Sequence, residues 1–311
     1  MKKYFTNNKK TKLFKILFII LITFFISPQA QIDILDEPIA YNNASFTSVS
    51  NVFNEIDSNN SDSNFEIHFL DFGQADSTLI ICDNKSMLVD GGNVEDSSFL
   101  YSYLKKNEIK HLDYVIATHS HEDHVGGLPG ALNFATFDNV YSPTLSYDSK
   151  AFNNFSKYVQ LQGKEIVIPK DNDNFNLGSA LVTILACNSY EEINNTSIVL
   201  KIVYKNTSFL LMADAEREVE ELLLTKDLDL SSTLLKIGHH GSDTSTTYPF
   251  LREVMPSYGI ISVGENNPYY HPHKSTLSKL NNANIKVFRT DMQGTIICKS
   301  DGNNLTFVTE K

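Results

Sequence analysis

Residues 118–124 read Thr118-His119-Ser120-His121-Glu122-Asp123-His124, directly after the apolar run LDYVIAT (112–118) and just before Gly126-Gly127. Three histidines and an aspartate on a loop leaving a strand bring imidazole and carboxylate donors into one small volume. That donor set suits zinc or a similar divalent ion. His119 and His121, at alternate positions, can face one ion, while Asp123 and His124 turn toward a second. A polar surface loop with scattered histidines is the competing reading, and it does not account for this spacing.

Upstream, EIHFLDF (66–72), STLIIC (77–82) and KSMLVDGG (85–92) are short β-like runs parted by Gly, Asp and Asn. SSFLYSYLKKNEI (97–109) has helical spacing, with Ser97 or Ser98 as candidate N-cap. Downstream, NTSIVLKIVYKNTSFLLMADA (195–215) reads as a hairpin turning at Lys205–Asn206, followed by a helix over 216–226. STLLKIGHHG (232–241) and YGIISVG (258–264) are strand-like, helices are expected at 247–255 and 274–283, and KVFRTDMQGTIICKS (286–300) reads as a last hairpin. Two strand-rich halves, each followed by helices, predict an α/β fold of two packed sheets with helices outside, formed by residues 64–311 as one domain.

The 311 residues include 26 Lys+Arg against 37 Asp+Glu, a formal charge of −11. Residues 1–30 hold six lysines (Lys2, Lys3, Lys9, Lys10, Lys12, Lys15) and no acid, so the remainder has 20 basic against 37 acidic groups and stands at −17. Such a body repels polyanions at long range, and three arginines (Arg217, Arg252, Arg289) are too few for an extended phosphate-gripping surface. DNA coating is thereby disfavoured. A hydrophobic fraction of 41% excludes wholesale disorder.

After the lysines, ILFIILITFFI (16–26) is about half the ~20 apolar residues of a membrane-spanning helix, the pattern of a secretory signal. Residues 1–30 are therefore read as a signal peptide ending at Ala30 or, because Pro28 suits cleavage poorly, as an uncleaved N-terminal anchor. Either places the protein outside the cell, secreted or anchored facing outward. Residues 31–63, rich in Asn, Ser and Asp, read as a polar linker. Cys82, Cys187 and Cys298 lie in or at the end of apolar runs, and their odd number forms no closed disulfide set; they read as buried small hydrophobes.

HxHxDH after a strand resembles the signature of the metallo-β-lactamase superfamily, and the resemblance continues along the chain over roughly residues 66–309. Asp90 in LVDGG matches the family's Asp-Gly pair behind the metal loop. Asp214 in LLMADAE matches its metal-bridging carboxylate, and His239 in KIGHHGS its last metal-binding histidine. A closer likeness is to the soluble hydrolase domain of ComEC-type DNA-uptake (competence) proteins and secreted phosphorylcholine-esterase-like relatives. DFGQADS (71–77), NNTSIVL (194–200), HHGS (239–242) and NPYYHPH (267–273) carry it, with Ala75 in place of a glycine.

The resemblance implies a four-layer αββα fold and two divalent metal ions, zinc or alternatively manganese, held by His119, His121, Asp123, His124, Asp214 and His239. No histidine occurs between His124 and His239. The first ion is thus implied to rest on His119, His121 and Asp214 with water or Asn195, and to exchange readily. Asp90 is implied to orient the metal loop.

The implied function is an exported hydrolase, a phosphodiesterase acting on a phosphate-containing substrate through a hydroxide held by the two ions, with Asp123 among the catalytic groups. A nuclease linked to DNA uptake and a non-catalytic metal-stabilised binding module are the alternatives. His240 reads either as a support for His239 or as a substrate contact, and His271 as a substrate contact or proton donor. His273 reads as a neighbour of the helix start. Asp71, Gln74 and Ser197 are candidate supporting or substrate-binding residues, and turn formation explains the first two nearly as well. His68 and His111 read as structural or solvated.

Overall fold

The computed structural model describes residues 64–311. The signal or anchor at 1–30 and the linker at 31–63 lie outside these residues. The first sheet is built from β1 (Phe65–Phe69), β2 (Thr78–Cys82), β3 (Lys85–Val89), β4 (His111–Ile116), β5 (Thr136–Tyr141), β13 (Ile296–Ser300) and β14 (Leu305–Thr309), in the order β14-β13-β1-β2-β3-β4-β5. The second holds β6 (Asn174–Leu177), β7 (Ala180–Ala186), β8 (Val199–Tyr204), β9 (Thr207–Leu211), β10 (Leu234–Lys236), β11 (Tyr258–Ile261) and β12 (Lys286–Arg289), in the order β12-β11-β10-β9-β8-β7-β6.

Residue alternation makes the layers. Ile80, Met87 and Val89 face inward and meet Leu200, Ile202, Phe209 and Leu234 of the other sheet. Their sequence neighbours Leu79 and Leu88 face outward, onto Leu100 and Leu104 of α1 (Ser97–Lys106), Leu128 of α3 (Leu128–Phe134) and Phe152 and Phe155 of α4 (Lys150–Leu161). Leu210 and Leu235 likewise pack under α5 (Arg217–Thr225), α6 (Tyr248–Val254) and α7 (Lys274–Asn282). The result is the expected αββα stack. Each fully buried Phe or Leu in it contributes about 1.5–3 kcal/mol.

Strand direction positions the chemistry. β3, β4 and β5 run parallel, as do β9, β10, β11 and β12. The segments following β3, β4, β9, β10 and β11 therefore open on one end of the two sheets, where ligands bind in open α/β sheets.

One expected element differs. Residues 286–300 are not a hairpin: β12 pairs parallel with β11 in the second sheet, and β13 pairs with β1 and β14 in the first. A short helix, α8 (Thr290–Gln293), and Gly294 at φ 66° carry the chain from one sheet to the other. The hairpin is instead β13–β14, where Asp301 Oδ1 accepts the amides of Asn303 and Asn304. β5, α4, β6 and β7 have no counterpart in the sequence reading. β5 is an edge strand with exposed Thr136, Asp138 and Asn139, and so lacks a continuous apolar run. The cysteines are all free, with Cys82 and Cys298 in the intersheet core and Cys187 half-buried.

Candidate metal centre

The loop after β4 is fixed by one carboxylate. Asp90, just past β3, accepts the Thr118 amide on Oδ1 at 2.8 Å and the Thr118 hydroxyl on Oδ2 at 2.7 Å. The same Oδ2 accepts His124 Nδ1–H at 2.8 Å, so Asp90 holds both ends of the loop. Behind it the backbones touch: the Gly91 amide donates to His124 O at 2.7 Å, and a Cβ on Gly127 would lie 2.0 Å from Gly91 O. Only paired glycines allow that approach. Between these anchors runs the short helix α2 (Glu122–Val125), which carries Asp123 and His124.

Asp214 follows β9, and its amide donates to Ser197 Oγ at 3.2 Å. His239 and His240 follow β10 in consecutive left-handed conformations (φ 48° and 51°). This backbone is uncommon for residues with a Cβ, and such strain gathers at functional sites. Here it splays the two rings 6.2 Å apart, at 60° to each other.

The rings consequently go to different places. Donor atoms of Asp123, His124, Asp214 and His240 all lie within 4.8 Å of one another. His124 Nε2 is 3.3 Å from Asp214 Oδ2, and His240 Nε2 is 3.4 Å from Asp123 Oδ2 and 3.6 Å from Asp214 Oδ1. His240 Nδ1–H donates to Ser262 O at 2.9 Å. Both imidazoles thus commit their Nδ1–H outward and turn Nε2 inward. His124 Nε2, His240 Nε2 and Asp214 Oδ1 are buried without a hydrogen-bond partner. Converging ligand atoms left without partners in this way fit a divalent cation, which would take the place of the ring protons. Burial opposes charge on His240, yet Asp214, Asp123 and Asp76 outweigh it and push its pKa up to about 9.

On the other side of Asp214 the arrangement is looser. His119 Nε2 lies 3.1 Å from His121 Nδ1 and 3.9 Å from Asp214 Oδ2. His239 Nε2 is also 3.9 Å from Asp214 Oδ2, while its Nδ1 lies 3.0 Å from Glu216 Oε1. Burial, then His124, drives the His119 pKa well below its ordinary value, leaving that ring neutral and able to accept a cation.

Several expectations change. The four-group cluster takes in His240, while His239, expected as the last metal-binding histidine, approaches the other oxygen of Asp214 at 3.9 Å. His240 is accordingly a cluster member, rather than a free contact to substrate. Asn195 does not face the centre: its Oδ1 accepts the Glu216 amide at 2.9 Å and its Nδ2 donates to Glu218 at 3.2 Å. Asn194 does, with Nδ2 3.5 Å from His239 Nε2 and Oδ1 buried and unpartnered. Asp71 forms a turn with the Gly73 amide and pairs with Lys311 at 3.1 Å. Gln74 Oε1 accepts the Gly264 amide at 3.3 Å, joining the β1–β2 loop to the segment after β11. Ser197 acts on Asp214 through the amide bond described above. His68, buried between Tyr103 and Glu66, and His111, exposed beside Asp138, are distant structural groups.

His271 stands at the mouth, its ring 5.4 Å from His239 and 6.4 Å from His240. Asn267 organises its loop, accepting the Tyr269 and His271 amides and donating to Gly264 O and His271 O. His273 tethers the loop by accepting the Asp243 amide at 2.9 Å. Burial, helped by His239, His240 and His273, lowers the His271 pKa to about 4. His271 is therefore neutral, which suits a hydrogen-bonding contact better than a charged proton donor. Its Nδ1 is buried and unpartnered. Asn194 and Glu216 were not singled out from the sequence, although they lie within the NNTSIVL (194–200) and LLMADAE (210–216) segments.

Comparison with known proteins agrees with this geometry. The family described as the Metallo-beta-lactamase superfamily matches residues 70–265. Among curated proteins, "ComE operon protein 3" of Bacillus subtilis is 29% identical over 251 residues, covering 74% of this chain and 32% of its own length. "Competence protein ComA" of Neisseria gonorrhoeae is 27% identical over 228 residues, covering 73% and 31%. The chain thus spans about a third of these relatives. Among solved structures, the metallo-β-lactamase fold protein YhfI of Bacillus subtilis superposes with a TM-score of 0.51 at 14% identity, covering 76% of this chain and all of that one. CmlA, a diiron β-hydroxylase from Streptomyces venezuelae, gives 0.52 at 12% identity over 77% and 55%. At these identities the two structures speak to the fold alone.

Proposed function

Because the chain belongs to the metallo-β-lactamase superfamily, we propose that it is an exported metal-dependent phosphodiesterase. The observation that supports this best is the buried cluster of Asp123, His124, Asp214 and His240, whose inward atoms lack partners. Asp123, His124, Asp214 and His240 would hold one divalent ion, and His119, His121 and Asp214 a second. Ions so held, zinc or manganese, would supply a nucleophile derived from water and neutralise charge on the attacked phosphoryl group.

The chain's own groups do the remaining work. Asp90 and the Ser262 carbonyl fix the tautomers of His124 and His240, keeping Nε2 available. Glu216 orients His239 so that its Nε2 faces the centre. His271, neutral and half-buried, offers its ring to a substrate oxygen. An aspartate in place of a cysteine at the position of Asp214 favours phosphoester over β-lactam substrates. Export rests on residues 1–30; among the described residues, no helix is long and apolar enough to cross a membrane.

A nuclease is the second reading, motivated by the competence proteins at 29% and 27% identity. The acidic body counts against it. Parallel assays with bis-p-nitrophenyl phosphate, p-nitrophenylphosphorylcholine and single-stranded DNA, with zinc or manganese restored, separate the readings. The phosphodiesterase reading expects metal-dependent turnover of a small diester and loss of about 10³-fold or more in Asp123→Ala. DNA cleavage that falls steeply with salt and outpaces the small diesters would favour the nuclease. Metal-dependent stabilisation with no turnover of any substrate would leave a binding module.

A further inference from the structure

The DFGQADS segment contains a second acid that the centre described above does not use. Asp76, in the loop between β1 and β2, is 4% exposed, and Lys236, the last residue of β10, is 2% exposed. Lys236 Nζ donates to Asp76 Oδ2 at 2.9 Å. Along β10, Leu234 faces the intersheet core and Leu235 the outer helices, so Lys236 returns to the space between the sheets. A lysine there is costly unless paired, because a buried charge without a counter-charge forfeits its hydration. The pair therefore joins the two sheets by a charged contact directly behind the metal centre.

Asp76 reaches that centre by two routes. Its amide donates to Asp123 O at 3.0 Å, and its own carbonyl accepts the Gly92 amide at 2.9 Å. It is thereby bonded to the metal loop and to the Asp90-Gly91-Gly92 turn together. Its second carboxylate oxygen, Oδ1, is buried without a hydrogen-bond partner and lies 3.7 Å from His240 Nδ1. That places a negative oxygen beside the N–H that His240 gives to Ser262, favouring the tautomer that leaves Nε2 inward. The four-group cluster is drawn from both sheets: Asp123 and His124 follow β4, Asp214 follows β9, and His240 follows β10. A contact that spans the same gap at the same end sets the distance between its halves.

We propose that Asp76 and Lys236 are positioning residues for the four-group cluster, holding the His240 ring and the Asp123 main chain in the register that binds a divalent ion. The proposal rests on the metal-binding reading above. It differs from a purely structural ion pair in what it predicts for variants that still fold.

The test uses the full chain and cobalt(II) or zinc as probe, with chelator competition for affinity and the cobalt visible spectrum for ligand geometry. Asp76→Asn keeps the side-chain shape and both backbone bonds. It is expected to weaken the tightest divalent site by about 10–100-fold, the usual effect of losing a group that orients a ligand, and to change the cobalt spectrum. Asp76→Leu combined with Lys236→Met removes both charges. It is expected to recover the metal-free unfolding temperature lost in Asp76→Leu or Lys236→Met alone, without recovering metal affinity. Wild-type affinity and an unchanged spectrum in a folded variant overturn the proposal. So does failure of both variants to fold, which would make the pair structural alone. Should the wild-type chain bind no divalent ion, the metal reading itself fails, an outcome distinct from wild-type and variant binding alike.

Discussion

The two halves of the candidate metal centre are built to different standards. On one side, Asp123, His124, Asp214 and His240 converge, with His124 Nδ1 held by Asp90 and His240 Nδ1 by Ser262 O. On the other, His119 and His239 each lie 3.9 Å from Asp214, with His121 against His119 and Asn194 against His239. The first half is closed and oriented from behind. The second is oriented by longer contacts, Thr118 Oγ1 3.3 Å from His119 Nδ1 and Glu216 and Thr244 at 3.0 and 3.2 Å from His239 Nδ1. Affinity in metal sites depends on such backing as much as on the ligands, so the closed half should bind first and the open half exchange.

The largest effect should come from the group common to both halves. Asp214→Asn is expected to abolish the tight equivalent, to weaken the second, and to lower turnover by about 10³-fold or more, read by metal stoichiometry and initial rates. Retained binding of one tight ion would mean that the halves do not share Asp214. Asp90→Asn acts on the closed half directly, through His124, and on the open half only through Thr118, whose hydroxyl lies 3.3 Å from His119 Nδ1. It frees the His124 tautomer and should weaken the tight site by about 10–100-fold, with a smaller effect on the second equivalent in a stepwise titration.

Glu66 gives a smaller effect and a control outside the centre. Its hydrogen bond from His68, then the Lys299 charge, outweigh burial and hold its pKa down to about 2 from 4.5. A depressed carboxylate contributes stability above its unfolded pKa and loses it as pH falls through the folded one. Denaturant titrations should therefore show the wild-type stability falling between about pH 4.5 and 2 more steeply than that of Glu66→Gln. At neutral pH the variant should lose at most about 1 kcal/mol, as for a partly exposed pair. Its metal affinity should match wild type at both halves.

The parts of this architecture legible in the sequence were those written locally. HxHxDH after an apolar run, the LVDGG turn and the LLMADAE strand end each hold donors and backbone together within a few residues, so position along the chain nearly equals position in space. Partnership between distant strands is not written that way. The run 286–300 has the alternation of two strands, but which sheet each joins depends on β11 and β1, far away in sequence. The His239–His240 assignment turned on two left-handed backbone angles, which residue type alone does not specify. Asn194 and Asn195 are chemically identical, and the short 3₁₀ turn at Asn194–Thr196 decides which one faces the centre.

One titration decides whether the closed half is the tight site and whether His240 rather than His239 belongs to it. Zinc is added stepwise to wild type, His240→Ala and His239→Ala, each in competition with a chromophoric chelator. His240→Ala is expected to lose the tight equivalent, while His239→Ala keeps it and alters only the weaker one. Loss of the tight equivalent in His239→Ala, with His240→Ala unaffected, would contradict this assignment.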